Sequence, residues 1–330
     1  MEEILFTALL LASATHASAN DGIGSLGVGG IVFGKTDTIA MKKEVLNISW
    51  KKISVDYEFL NESNSDVVET IFFPLPDYQV DPNPRHSGQP DQFSITVDGK
   101  IVGYKTILRS FMDSNDEDIT QDLRKIGLND EEIAFFPFEG PFRVKVKPLT
   151  KKQVTQLQTK GYIQDNSGLY PAWTVRIAYQ WTQRFPAGKT VHVHHEYSPF
   201  NSNGPAEMGT SDKQPILYCA DKNYLKSWHK LRINDKNNES ISNTVVEYIL
   251  KTGNTWKNGI EDFTLNLIKE SPSELITLCF PGDFRRTSPT NLQLHMTNFR
   301  PTEDLSIFYG NLNSDEFVGR NGRDQPPSLK

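Results

Sequence analysis

Apolar and polar residues alternate along much of the chain with the period of β-strands. In the stretch ISVDYEF, residues 53–59, the four apolar residues share one face and the three polar residues share the other. Turn residues follow at 61–65, and the apolar run 67–73 predicts a second strand that ends where Pro74 and Pro76 block it. We expect these two strands to pair as a hairpin with one buried face.

The same pattern predicts strands along most of the remaining chain, with a tight hairpin turn at Asp98-Gly99. The period changes to that of a helix near 116–127 and near 150–161, and a third short helix is predicted at 221–229. The further predicted strands cover residues 31–33, 38–41, 45–50, 93–97, 173–181, 190–197, 245–251, 263–268, 275–280, 292–296 and 305–309.

These elements predict a mainly β protein with two parts. Residues 20–205 are expected to form an antiparallel β-sandwich-like domain that carries the short helical insertions near 116–127 and 150–161. Residues 206–313 are expected to form a smaller C-terminal β domain, because the stretch 201–215 between them is polar and contains Gly and Pro. The polar, Pro-containing tail 314–330 is predicted to be disordered.

The N-terminus has the pattern of a secretory signal peptide. A short apolar run at 4–14 is followed by Ala17-Ser18-Ala19 and then by polar residues, so residues 1–19 are expected to be removed. The segment before the apolar run is Met1-Glu2-Glu3, without the usual basic residue, and a buried helix is the alternative interpretation. With the leader removed, the protein is expected to be periplasmic or secreted.

A glycine-rich segment directly follows the expected cleavage site. Residues 22–27 match the spacing GxGxxG, but a nucleotide site needs a preceding strand and a following helix N-terminus. A strand-like stretch follows instead, so we interpret residues 21–30 as a flexible leader or a tight turn.

Composition narrows the class of partner. The formal net charge of the 330 residues is -6, and no basic block stands out, which argues against nucleic acid as the main partner. No apolar run is long enough to predict a transmembrane segment.

Cys219 and Cys279 are the two cysteines of the chain, and in an exported protein they favour a disulfide bond over two buried thiols.

The candidate chemistry lies in the string His192-Val193-His194-His195-Glu196. On a strand, His192 and His194 project from the same face, as two ligands of one zinc ion would require. A third ligand would have to come from elsewhere, such as His86, His229 or a carboxylate. The leading expectation is a polar, partly exposed strand face without metal or any other cofactor, and zinc bound by His192 and His194 is the alternative. Motifs of nucleophilic catalysis are missing, and no spacing singles out a pair of catalytic carboxylates.

Several motifs together resemble a bacterial exported family, the domain of unknown function family 4424. The resemblance covers nearly all of the chain after residue 19, and it implies export, a mainly β architecture and pairing of Cys219 with Cys279. It implies no activity and no site residue. The motifs that carry it are Asn20-Asp21 with GGIV at 29–32, EVLNI at 44–48, FPLPD at 73–77, FSITVDG at 93–99, FPAG at 185–188, HEY at 195–197, YILKTGNTW at 248–256 and FRP at 299–301 with Asp304-Leu305.

The leading functional hypothesis is a non-catalytic binding or protein-interaction module of the cell envelope. It follows from a well-patterned β scaffold with long Pro-containing loops and no catalytic constellation. Its partner would be an envelope protein or an extracellular ligand. The alternative is a metal-dependent or carboxylate-based hydrolase that uses His192 and His194 or a carboxylate pair.

Overall fold

A computed structural model gives the fold of the protein. The residues it describes are 20–27, 30–80, 90–137, 148–165, 169–205, 214–234 and 241–313. The predicted signal peptide at 1–19 and the predicted disordered tail at 314–330 lie outside the described residues.

The protein is mainly β, as predicted. Its helices are α1 Thr120–Ile126, α2 Asp130–Phe135, α3 Lys151–Thr159, α4 Gln214–Leu217 and α5 Lys222–Asn234, with a 3₁₀ helix at Lys251–Thr255. Its strands are β1 Gly22–Gly27, β2 Gly30–Phe33, β3 Ile39–Ile48, β4 Ile53–Asn61, β5 Val67–Pro74, β6 Tyr78–Gln79, β7 Asp91–Val97, β8 Lys100–Ile101, β9 Lys105–Met112, β10 Ile163–Asp165, β11 Leu169–Pro171, β12 Trp173–Phe185, β13 Thr190–Ser198, β14 Ser202–Pro205, β15 Ser242–Tyr248, β16 Lys257–Ile268, β17 Leu275–Thr277, β18 Arg285–Ser288, β19 Asn291–Phe299 and β20 Leu305–Gly310.

Three large sheets organise these strands. An eight-stranded sheet has the order β18-β19-β16-β3-β4-β13-β7-β8. A six-stranded sheet has the order β2-β1-β5-β12-β6, with β9 also paired to β12. A four-stranded sheet has the order β14-β15-β20-β17, and β10 pairs with β11 separately.

The eight-stranded and six-stranded sheets pack face to face, as a sandwich-like fold requires. Phe73 and Trp181 of the six-stranded sheet have ring centroids 5.2 Å and 5.4 Å from the ring of His195 in the eight-stranded sheet. Phe93 on β7 lies 4.3 Å from Tyr179 on β12. The main hydrophobic core therefore lies between these two sheets.

The prediction that the two strands within 53–77 pair as a hairpin is wrong, because they do not pair with each other. β4 pairs with β3 and β13 in the eight-stranded sheet, whereas β5 pairs with β1 and β12 in the six-stranded sheet. The turn between them carries the chain from one sheet to the other. Asn61 fixes this crossing, because its side-chain amide donates hydrogen bonds to the carbonyl oxygens of Ser65 and Phe185, both at 2.8 Å.

Strands from both sides of the expected domain boundary share the eight-stranded sheet. β16 pairs in parallel with β3 over residues 257–267, and it pairs on its other edge with β19. The two expected domains are therefore joined through backbone hydrogen bonds. The division at residues 205 and 206 stays a prediction, and the shared sheet argues against two independently folding parts.

The helices begin and end at residues that suit them. α1 ends at Gly127, whose φ of 95° is a left-handed conformation that favours glycine. Thr150 and Gln153 form a reciprocal capping box at the start of α3. α2 begins at a second capping box, Asn129 with Glu132, which the hydrophobic pattern did not predict. In the described part of the chain, no helix has both the length and the apolar character needed to cross a membrane.

The glycine-rich segment after residue 20 is a strand rather than a flexible leader. β1 pairs with β2 at residues 24–27 and with β5 at residues 22 and 23. A Cβ on Gly22 would lie 2.9 Å from the ring of Phe33, so a side chain there would require a shift of that ring. The chain therefore enters the core immediately after the expected cleavage site.

Candidate functional site

The predicted zinc residues lie on the outer face of the eight-stranded sheet. His192 and His194 project from the same side of β13, away from the core, as strand alternation predicts. The Nδ1 atom of His194 lies 2.7 Å from a carboxylate oxygen of Asp56 on the neighbouring β4. The side chain of His192 is exposed to solvent.

A third ligand does not join these two histidines in the described ranges. No group of three or more His, Cys, Asp or Glu side chains there is arranged to hold a metal ion. His86 lies outside the described residues, and His229 lies on α5. The zinc site stays a prediction.

His195, the next residue along the strand, points the opposite way. Its side chain is fully buried, and its Nε2 atom lies 2.9 Å and 3.0 Å from the two carboxylate oxygens of Asp21. The imidazole is surrounded by four aromatic side chains with ring centroids 5.2–5.7 Å away, namely Tyr57, Phe73, Phe93 and Trp181. The spacing of the histidine string singled out His192 and His194, whereas the inward-facing His195 was not predicted.

Further polar side chains continue from Asp21 into the core. The side-chain amide of Asn20 donates a hydrogen bond of 2.9 Å to an oxygen of Glu44 on β3. The backbone N–H of Asn20 donates to the hydroxyl of Thr252, which itself donates to the Asn20 carbonyl oxygen. We call Asn20, Asp21, Glu44, His195 and Thr252 the buried cluster.

The buried cluster is electrostatically unbalanced. Burial raises the pKa of Glu44 to about 8, partly opposed by the Asn20 hydrogen bond, and the negative charge of Asp21 raises it further. Burial also raises the pKa of Asp21, although the charge and hydrogen bond of His195 oppose that rise. Within the described residues, no donor reaches the Oε1 atom of Glu44 or the Oδ1 atom of Asn20.

Three aromatic side chains extend the polar region around the buried cluster. The indole N–H of Trp256 donates a 2.6 Å hydrogen bond to the carbonyl oxygen of Asp21. The hydroxyls of Tyr57 and Tyr248 lie 3.1 Å apart, and both rings are buried. The cluster thus fastens the first residues of the described chain to three separate parts of the core, and it has no exposed side chain with which to reach a ligand.

A second candidate site lies on the surface of the protein, along α5. Along α5, one stripe of side chains lines a shallow groove and combines apolar with basic residues. We call this stripe the helical surface, and it comprises Lys222, Leu225, Lys226, His229, Lys230 and Ile233.

The opposite face of α5 anchors the helix. Trp228 is fully buried, its ring packs 5.9 Å from that of Phe308 on β20, and Tyr224 stacks on it at 6.2 Å. A Cβ on Gly310 would lie only 2.5 Å from the Trp228 ring, so a glycine there permits the close approach of helix and strand.

The predicted disulfide fixes the segment that leads into α5. Cys219 is bonded to Cys279, and the two residues are 60 positions apart. The hydroxyl of Thr277 on β17 also donates a 2.8 Å hydrogen bond to the carbonyl oxygen of Tyr218. The helical surface is therefore carried on a firmly attached element.

Three solved structures are similar to this chain at low sequence identity. A "putative nutrient binding protein" from Legionella pneumophila subsp. pneumophila str. Philadelphia 1 is 16% identical, with a TM-score of 0.44, and the match covers 92% of this chain and 72% of that one. An M1 zinc metallopeptidase from Deinococcus radiodurans is 10% identical, with a TM-score of 0.24 and coverage of 84% and 44%. A two-domain M1 zinc metallopeptidase is 9% identical, with a TM-score of 0.26 and coverage of 87% and 46%. Likenesses this weak assign no function to the chain.

No curated protein matches the chain. The family model described as "Domain of unknown function (DUF4424)" matches residues 19–308, which is most of the sequence and includes both the buried cluster and the helical surface. The resemblance read from the motifs is thereby confirmed, and the chain belongs to the DUF4424 family.

Proposed function

We propose that the protein is an exported, non-catalytic binding module of the cell envelope, and that the helical surface contacts an acidic segment of a partner protein. The observation that carries this proposal is an exposed aliphatic side chain, Ile233, that lines the same groove as three lysines of α5. Ile233 on α5 is 83% exposed, and Ile216 and Leu217 on α4, which directly precedes α5 in the chain, are 82% and 65% exposed.

The spacing of the lysines suits one elongated partner segment. Lys222, Lys226 and Lys230 follow one another at four-residue intervals, so they lie in a row along the helix. α5 contains no acidic residue, although the whole chain has a net charge of -6. The local charge therefore favours an acidic partner, and the flanking aliphatic residues supply apolar contact area.

The charge of the whole molecule favours a protein over an anionic lipid surface. A lipid surface extends beyond the helix and would also meet other parts of a chain whose net charge is -6, whereas a partner segment touches only the helical surface. Screening at physiological salt limits the field of each charge to about 8 Å, so a small partner responds chiefly to the lysine row.

The first test compares two charge-reversed double variants as baits. Residues 20–330 are cross-linked in native cell envelope, and the captured partner and its cross-linked residues are identified by mass spectrometry. We expect one partner whose acidic segment is cross-linked to the lysines of α5. The variant Lys226→Glu with Ile233→Asp should lose this partner.

The matched control changes another exposed lysine and isoleucine. Lys100→Glu with Ile101→Asp alters β8, where Ile101 is 86% exposed, and capture should be unchanged. Equal capture by both variants, or cross-links that avoid α5, would overturn the proposed face. If the chain binds phosphatidylglycerol vesicles and captures no protein partner, the partner of the helical surface is a lipid surface and not a protein.

A further inference from the structure

The backbone nitrogen of Asn20 lies inside the protein. Asn20 is 0% exposed, its N–H donates to Thr252, and its side chain contacts Glu44. The sequence immediately before it is Ala17-Ser18-Ala19, the pattern of a leader-peptide cleavage site. Cleavage after Ala19 would therefore alter the backbone nitrogen of Asn20, which belongs to the buried cluster.

The buried cluster contains more acid than base. Asp21 and Glu44 are two buried carboxyl groups, and His195 is the only basic side chain of the cluster. A buried carboxylate is costly unless a positive charge and hydrogen-bond donors accompany it. The cluster atoms that have no hydrogen-bond partner within the described residues include Oδ1 of Asn20, Oε1 of Glu44 and Nδ1 of His195.

We propose that cleavage after Ala19 completes the core, because it turns the Asn20 nitrogen into an α-ammonium group that balances the buried carboxyl groups. An endopeptidase of the signal-peptidase class supplies the reaction, with water as the second substrate. The Ala19–Asn20 peptide bond breaks, the oxygen of water becomes part of the new Ala19 carboxylate, and the amine nitrogen takes up protons at neutral pH.

Cleavage changes both charge and hydrogen bonding at this atom. A peptide nitrogen has one N–H and no charge, whereas an ammonium has three N–H donors and one positive charge. The added donors arise next to Thr252, on the residue whose side-chain amide contacts Glu44, in a cluster whose described residues leave acceptors unpaired. Removal of the leader therefore stabilises the assembled core, which couples the stability of the protein to processing.

The first experiment needs no variant. The chain is expressed with its leader, the processed protein is purified, and its first residue is determined by mass spectrometry. We expect Asn20, with an α-amine that reacts with an acylating reagent roughly tenfold or more slowly than exposed lysines until the protein is denatured. A different first residue, or an α-amine that reacts as fast as the lysines, would overturn the proposal.

The second experiment separates charge from bulk. A chain beginning at Asn20 is compared with one that has Gly-Ser added in front, each with and without Glu44→Gln. We expect the extension to raise the unfolding equilibrium constant by about 100-fold when Glu44 is present and much less in the Glu44→Gln chain.

The control is Glu131→Gln, which changes an exposed residue of α2 and should leave the effect of the extension unchanged. If the extension destabilises the chain equally with and without Glu44→Gln, it acts only by bulk, and the charge pairing is wrong. The inference rests on the leader cleavage in the proposed function but not on the helical surface. Correct processing without a binding partner would therefore contradict the proposed function alone.

Discussion

At the scale of single residues, strand alternation gives three neighbouring histidines different environments. His192 and His194 face solvent, whereas His195 is buried against Asp21. We predict that His195→Ala lowers the free energy of unfolding by about 3–5 kcal/mol, because it leaves a buried carboxyl group without its partner. His192→Ala should change it by less than about 0.5 kcal/mol. Urea unfolding measures both, and equal effects of the two substitutions would contradict this assignment.

Glu44 gives a second prediction, for a chain whose Asn20 nitrogen remains in a peptide bond. Burial raises the Glu44 pKa from 4.5 to about 8, so between these values the folded chain keeps a proton that the unfolded chain has lost. Stability from this group therefore falls as pH rises through that window, by about 1.4 kcal/mol per pH unit, and is constant above it.

The measurement is the free energy of unfolding of the Gly-Ser-extended chain from pH 5 to pH 9, with Glu44→Gln as the reference. Asp21, His195, Tyr57 and Tyr248 are present in both chains, so the difference between the two curves isolates Glu44. A difference that does not vary with pH would show that Glu44 ionises normally in the folded protein.

At the scale of elements, a hairpin turn and a helix start were predicted correctly, because each depends only on residues that are close together in the sequence. Asp98 and Gly99 do form the turn of the β7–β8 hairpin, with φ values of 47° and 75°. The capping box at Thr150 does begin a helix. The pairing of β4 and β5 was predicted wrongly, because alternation shows which face of a strand is buried and not which sheet the strand joins.

The buried cluster escaped prediction for a related reason. β3 has an irregular register between Met41 and Lys43, which adds one residue and shifts the alternation that follows. Glu44 consequently points inward on the same side as Leu46 and Ile48. A regular alternation from Met41 would place Glu44 on the solvent side. Asp21, the partner of His195, also comes from a segment that was interpreted from the sequence as a flexible leader or a tight turn.

The disulfide gives a prediction for α5 and its attachments. Cys219→Ser with Cys279→Ser removes a cross-link between residues 60 positions apart, and we expect a loss of roughly 4 kcal/mol in the free energy of unfolding. Denaturant unfolding of the double variant measures the loss, and the wild-type chain with a reductant serves as the comparison. If neither the double variant nor the reduced wild-type chain loses stability, Trp228 and its neighbours hold α5 in place without the cross-link.

At the scale of the whole molecule, distant parts of the chain hold one another through specific polar contacts. The hydroxyl of Tyr309 donates a 2.8 Å hydrogen bond to the carbonyl oxygen of Ile48, and the indole N–H of Trp50 donates a 3.1 Å bond to Glu274. The partners are 261 and 224 positions apart in the two bonds, and each bond crosses the expected boundary at 205 and 206. These contacts accompany the parallel pairing of β3 with β16.

We therefore predict that residues 206–313 do not fold alone. Without β3, the inner edge of β16 would expose unpaired backbone groups beside the buried side chains of Phe263, Leu265 and Leu267. The isolated fragment should lack a cooperative thermal transition by circular dichroism, and co-expression with residues 20–205 should restore a soluble complex that unfolds cooperatively. A fragment that unfolds cooperatively by itself would instead support the two-domain division, and the shared sheet would then be an interface between independently stable units. The outcome decides whether the family fold is one folding unit, because the eight-stranded sheet cannot be completed by either part of the chain.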